Sequence, residues 1–170
     1  MSYLFDGLHG FNEDISNWDT TGVTNMEYMF ALNWNFNQPL GNWNTASVSD
    51  MRSMFFSASV FDQPIGDWNT ASVTSFYGMF DSAKAFNQDI SKWNISSSYI
   101  FHGYSAPTNM GSMFRKASAF NQDLCAWGSD TFPYQGCKDM FLESGCAYKN
   151  DPSPNEPFCA STCPTVVSAA

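Results

Sequence analysis

Large apolar residues recur along the chain at one fixed step. Phe11, Phe36, Phe61 and Phe86 are each 25 residues apart, and Trp18, Trp43, Trp68 and Trp93 keep the same interval. Ile15, Leu40, Ile65 and Ile90 follow it, as do Val23, Val48 and Val73. Met29-Phe30, Met54-Phe55 and Met79-Phe80 close each unit. The unit reads F-[ND]-x-x-[IL]-x-x-W-[ND]-T-x-x-V-x-x-M-x-x-M-F, with Asn, Gly, Thr and Ser between the anchors. Such a step lies in the 20–29-residue range of leucine-rich-type repeats. One unit cannot bury Phe36, Leu40, Trp43, Val48, Met51, Met54 and Phe55 alone, whereas stacked units can.

Within a unit, "PLGNWN" reads as a short extended segment, because Pro39 and Gly41 disfavour helix. "SVSDMRSMFFSA" reads as a helical turn or two, because Met51, Met54 and Phe55 have i, i+3, i+4 spacing behind Ser and Asp. The expected fold class is therefore an α/β solenoid: a leucine-rich-repeat-like right-handed coil with short parallel strands and one short helix per turn. The Trp and Phe positions read as core, because burying each ring stabilises by about 1.5–3 kcal/mol. Each indole N–H then needs a partner, and the adjacent Asn44, Asn69 and Asn94 or the backbone are the candidates.

The frame is broken once. After Phe86 the next equivalent is Phe120, a step of 34, and the nine extra residues fall near 95–108, in "ISSSYIFHGYSAPTN". Insertions in repeat arrays map to loops on one face, often the binding face. Tyr99, Ile100, Phe101, His102 and Tyr104 are the candidate partner-binding residues. Residues 1–148 form the expected repeat domain and 149–170 a Cys/Pro-rich cap and tail. The chain opens in mid-repeat, with Phe5 in frame with Phe30. That predicts either a piece of a longer array or an end covered by a partner.

All five cysteines lie after position 124. Cys137 falls on the core position of Met26, Met51 and Met110 and reads as a buried free thiol. Cys125, Cys146, Cys159 and Cys163 remain, and two disulfides among them would staple the polar tail, with three connectivities open. Zinc is the rival reading, but only Cys159 and Cys163 are closely spaced and His9 and His102 are far away. Disulfides imply an oxidising compartment.

Composition narrows the partners. The net charge is −9, so nucleic acid and anionic membrane surfaces are not expected partners. No apolar run approaches the ~20 residues that span a bilayer, and no signal peptide is visible. Phosphate loops, HExxH and GxSxG are missing from the sequence, so no enzyme, cofactor or metal site is expected. Thr20, Thr45 and Thr70 form a polar ladder, with Asn44, Asn69 and Asn94 as another. These read as turn and inter-coil hydrogen-bonding groups or, alternatively, as a flat glycan- or ice-binding surface. Asn94-Ile95-Ser96 is a glycosylation sequon, which makes Asn94 a candidate acceptor.

"FNQDISKWN", "NTASVTSFYGMF" and "FNEDISNWDTTGVTNMEYMF" resemble the BspA-like leucine-rich repeat family, specifically its 25-residue surface-protein repeat. The tail "DLCAW…SGC…PFCASTC" is similar to the closing segment of versions from marine algae such as diatoms, which carry four cysteines there. The resemblance implies a secreted, extracellular or cell-surface protein used in adhesion, matrix or protein contacts, and carries over no catalytic residue; an oxidising lumen is the alternative location that the disulfides allow. An accessory subunit of a larger complex is a further expectation. Ile95 in place of Thr and the insertion depart from the family pattern.

Overall fold

The computed structural model describes residues 1–95, 108–128, 132–154, 156–160 and 163, together with the backbone of 99–101 and 104–106. Successive repeats lie one upon the next. Backbone amides of each coil donate to carbonyls one repeat further on: Met26 to Asp50, Tyr28 to Arg52, Phe30 to Met54 and Leu32 to Phe56, at 2.7–2.9 Å. The same four rungs recur from Met51, Ser53, Phe55 and Ser57, then from Phe76, Gly78, Phe80 and Ser82, then from Met110, Ser112, Phe114 and Lys116.

The expected strand and helix in each repeat are absent, which corrects the α/β solenoid assignment. Regular structure among the described residues comprises two short strands, β1 (Tyr99–Phe101) and β2 (Tyr104–Ala106), and two 3-10 turns, Cys125–Trp127 and Tyr134–Gly136. Among the described residues, parallel pairing between repeats is limited to isolated bridges linking Asn25, Asp50, Ser75 and Asn109 in succession.

The backbone explains why no helix forms at "NMEYMFALN". Its alternate amides close overlapping β-turns: Met29 to Met26, Ala31 to Tyr28 and Asn33 to Phe30. The intervening amides, on Tyr28, Phe30 and Leu32, point to the next coil. Tyr28 and Leu32 have φ of 53° and 58°, the left-handed region that a type II turn requires and a right-handed helix excludes. Pairs four residues apart recur at Tyr3/Gly7, Ser53/Ser57, Gly78/Ser82, Ser112/Lys116 and Asp139/Glu143. The polar residue ahead of each segment folds back on the turn rather than capping a helix. Asn25, Asp50 and Asn109 each accept the amide two residues on, from Glu27, Arg52 and Gly111.

The core is a set of aromatic columns. Phe30, Phe55, Phe80, Phe114 and Phe141 stack at 5.5–5.7 Å between coils, with rings nearly parallel. A second column, Phe36, Phe61, Phe86 and Phe120, lies alongside and meets the first at 3.8–4.0 Å. Trp43, Trp68 and Trp93 donate their indole N–H to the carbonyls of Ile15, Leu40 and Ile65 in the coil before, at 3.0–3.1 Å. The partner is backbone, not the neighbouring Asn. Buried Trp127 has no such partner among the described residues.

The insertion leaves this stack in register. Phe76 donates to Asn109 and Phe80 to Met113, so Thr108 resumes where Thr74 stood in the coil before. Beyond Phe141 the chain turns back over the last coil. Leu124 donates to Phe158, whose ring meets Phe132 edge-on at 4.7 Å. Disulfides join Cys125 to Cys163 and Cys146 to Cys159. Cys137 is buried and free, its Sγ donating to the Pro133 carbonyl.

Two substitutions test this packing. Asn33 occupies the column of Ala58, Ala83 and Ala117, is fully buried, and its side-chain amide has no hydrogen-bond partner among the described residues. Asn33→Ala should therefore stabilise the protein by about 1–3 kcal/mol in chemical denaturation, since it removes an unsatisfied polar group. At exposed Lys116, with φ 59°, Gly should raise the melting temperature and Val should lower it, each through a left-handed conformation worth about 1–2 kcal/mol to a side chain.

Candidate functional site

The polar ladders expected to offer a recognition face divide into a buried half and an exposed half. Thr20, Thr45 and Thr70 are buried, and their hydroxyls donate to the carbonyls of Asn44, Asn69 and Asn94 in the next coil at 3.0–3.1 Å. Each hydroxyl supplies a carbonyl that the irregular backbone would otherwise leave unsatisfied. Asn44, Asn69 and Asn94 are exposed. Asn44 and Asn69 accept the amides of Ala46 and Ala71, closing turns two residues long. Asn94 is accessible, but Ser96 of its sequon lies outside the described residues.

A ladder that sequence reasoning missed carries more of the inter-coil bonding. Asn12, Asn37, Asp62 and Asn87 each accept the backbone amide of the equivalent residue one coil on, Asn37, Asp62, Asn87 and Asn121, at 2.9 Å. Gln38, Gln63, Gln88 and Gln122 reach back from that next coil to the same residues' carbonyls. The signal was present as the recurring dipeptide [ND]-Q after each column Phe, but a polar pair beside an aromatic also reads as an ordinary turn. Asp14, Asp89 and Asp123 likewise close local turns, onto the amides of Ser16, Ser91 and Cys125. Hydrogen bonding to those residues holds the Asp14 and Asp89 carboxyls below the usual range.

Of the candidate partner-binding residues, Tyr99, Ile100 and Phe101 lie on β1 and Tyr104 opens β2. The strands pair antiparallel with Tyr99 opposite Ala106 and Phe101 opposite Tyr104. His102 lies outside the described residues, as do the side chains of this hairpin. The four cysteines proposed for disulfides all form them. Asp123 lies within 4.8 Å of the Cys125 and Cys163 sulfurs, which are bonded to each other and so are not free as metal ligands.

The turn face holds a cleft of about 170 Å³ lined by Tyr28, Ser53, Phe56, Tyr77, Gly78, Asp81 and Arg115. Its floor exists because Ser53 and Gly78 occupy the positions that Tyr3 and Tyr28 fill in the first coils, where the two rings stack at 4.9 Å. Asp81 is buried and takes two contacts from Arg115 on one carboxylate oxygen: Nε donates at 2.9 Å and Nη2 lies at 2.7 Å. The other oxygen accepts the Ser82 hydroxyl. Arg115's own hydrogen bond to Asp81, followed by the Asp81 charge, raises the Arg115 pKa further. On the neighbouring coils Arg52 bridges Glu27 and Asp50.

No curated protein and no solved structure matches the chain. A family profile does, over residues 1–107 and again over 102–152, which together take in nearly every repeat. The chain thus belongs to the family described as Mycoplasma protein of unknown function, DUF285.

Proposed function

We propose that this protein is a non-catalytic repeat scaffold of the BspA-like kind, mediating protein contact or adhesion at a cell surface or in an oxidising lumen. The observation that carries the reading is the β1–β2 hairpin: it is inserted between two coils that remain in register on either side of it. An insertion into an otherwise regular repeat, bearing Tyr99, Phe101 and Tyr104, suits partner contact, because aromatic anchors dominate interface energetics. The repeat's Thr hydroxyls and Asn/Gln pairs are engaged between coils, which argues for recognition through the hairpin over a polar ladder. The disulfides support an oxidising location. A second reading is an accessory subunit of a larger complex: Tyr3, Leu4, Leu8 and Trp18 expose apolar surface that a neighbouring chain or a further coil would cover.

Replacing residues 96–107 with Ala-Ser-Val, the link between Thr70 and Thr74, should restore a regular repeat. We expect an unchanged melting temperature and loss of partners captured from a surface extract; an unchanged set of captured proteins contradicts the reading. The oxidative state is checked separately. Burial, with Asp151 nearby, pushes the Cys137 thiol up to about 12. Thiolate is the reactive form, so iodoacetamide at neutral pH should add nothing to the folded protein and one adduct after unfolding without reductant. More than one adduct without reductant would contradict the paired cysteines.

A further inference from the structure

The cleft on the turn face has the chemistry of a small, neutral ligand site that none of the repeat's structural duties explains. Its walls are aromatic: Tyr28, Phe56 and Tyr77, with Tyr77 43% exposed. Neither tyrosine hydroxyl has a hydrogen-bond partner among the described residues. At its edge, Asp81 and Arg115 neutralise each other. A guanidinium has five N–H donors, and Asp81 engages two of its nitrogens, which leaves donors for a ligand. The volume falls below the roughly 300–1,000 Å³ of pockets that enclose drug-sized molecules, and the cleft is open to solvent.

We propose that this cleft binds the terminal unit of a neutral saccharide. A pyranose ring presents one apolar face of C–H groups, which stacks on an aromatic ring, and a rim of hydroxyls that both donate and accept. The cleft offers aromatic walls with a carboxylate–guanidinium pair and tyrosine hydroxyls at their edge. An anionic ligand is disfavoured because the Arg115 charge is already paired and the chain carries a net charge of −9. A cation finds only a buried Asp81 oxygen pair engaged by Arg115 and Ser82. The space fits one ring, so a longer glycan would enter by its end. Its described lining includes no residue of β1 or β2, and the proposal does not depend on the hairpin's role.

The test is saturation-transfer NMR of the full chain with methyl glycosides of glucose, galactose, mannose and N-acetylglucosamine, with sialic acid as the charged control. At least one neutral glycoside should give a signal at millimolar concentration, and Tyr77→Ala should weaken its binding about tenfold, or about 1.4 kcal/mol. Ser53→Tyr should abolish binding while leaving the melting temperature unchanged, because Tyr28 shows that the same position in the previous coil accepts Tyr with positive φ. Absence of signal from every neutral glycoside overturns the proposal. So does a preference for sialic acid, or binding that survives Ser53→Tyr.

Discussion

Everything in this molecule depends on how each coil spends its backbone amides. Two left-handed residues, four apart, break what would otherwise be a helical segment in each repeat. Once the helix is broken, alternate amides close local turns and the others face outward along the stack. Those outward amides would be unsatisfied in a single repeat, since buried N–H groups must find a partner. The next coil, built from the same sequence, presents carbonyls at the matching height. Local strain of about 1–2 kcal/mol at each non-glycine left-handed residue is thus tolerated because the neighbouring coils over-determine it.

The aromatic columns follow from that registration. With coils held by repeated backbone rungs, Phe30 must lie above Phe55, and Phe36 above Phe61. Side-chain polar groups then fill what the backbone leaves over: Thr45 and Trp43 each satisfy a carbonyl of a neighbouring coil, and Asn37 satisfies an amide. Regularity of this kind consumes most of the repeated polar chemistry internally. Distinctive surface arises where the repeat departs from itself. The β1–β2 hairpin is one departure, and the small residues Ser53 and Gly78 in a tyrosine position are another.

Much of the packing was legible from periodicity alone. The 25-residue step identified Phe30, Leu40, Trp43 and Val48 as core, and each is buried. Its place four residues before Phe141 put Cys137 on the core position of Met26 and Met51, where it lies buried and unpaired. Secondary structure was misread because Met51, Met54 and Phe55 at i, i+3, i+4 suit a helix and a run of β-turns equally well. What separates the two is the sign of φ at Ser53 and Ser57, which serine does not announce. Thr45 was placed in a ladder correctly but its burial was not visible, since a threonine between polar neighbours reads as surface. For the indoles, backbone was one of the two expected partners, but which carbonyl accepts was hidden: one 28 residues away leaves no mark in the sequence.

The most direct test of the turn-and-rung backbone is the measurement of through-hydrogen-bond scalar couplings in uniformly labelled protein. The structure requires couplings from the Phe30 amide to the Met54 carbonyl and from the Phe55 amide to the Met79 carbonyl, across distances of 2.9 Å. Couplings instead from Phe30 to Met26 and from Phe55 to Met51 would mean that each repeat contains the helix this account excludes.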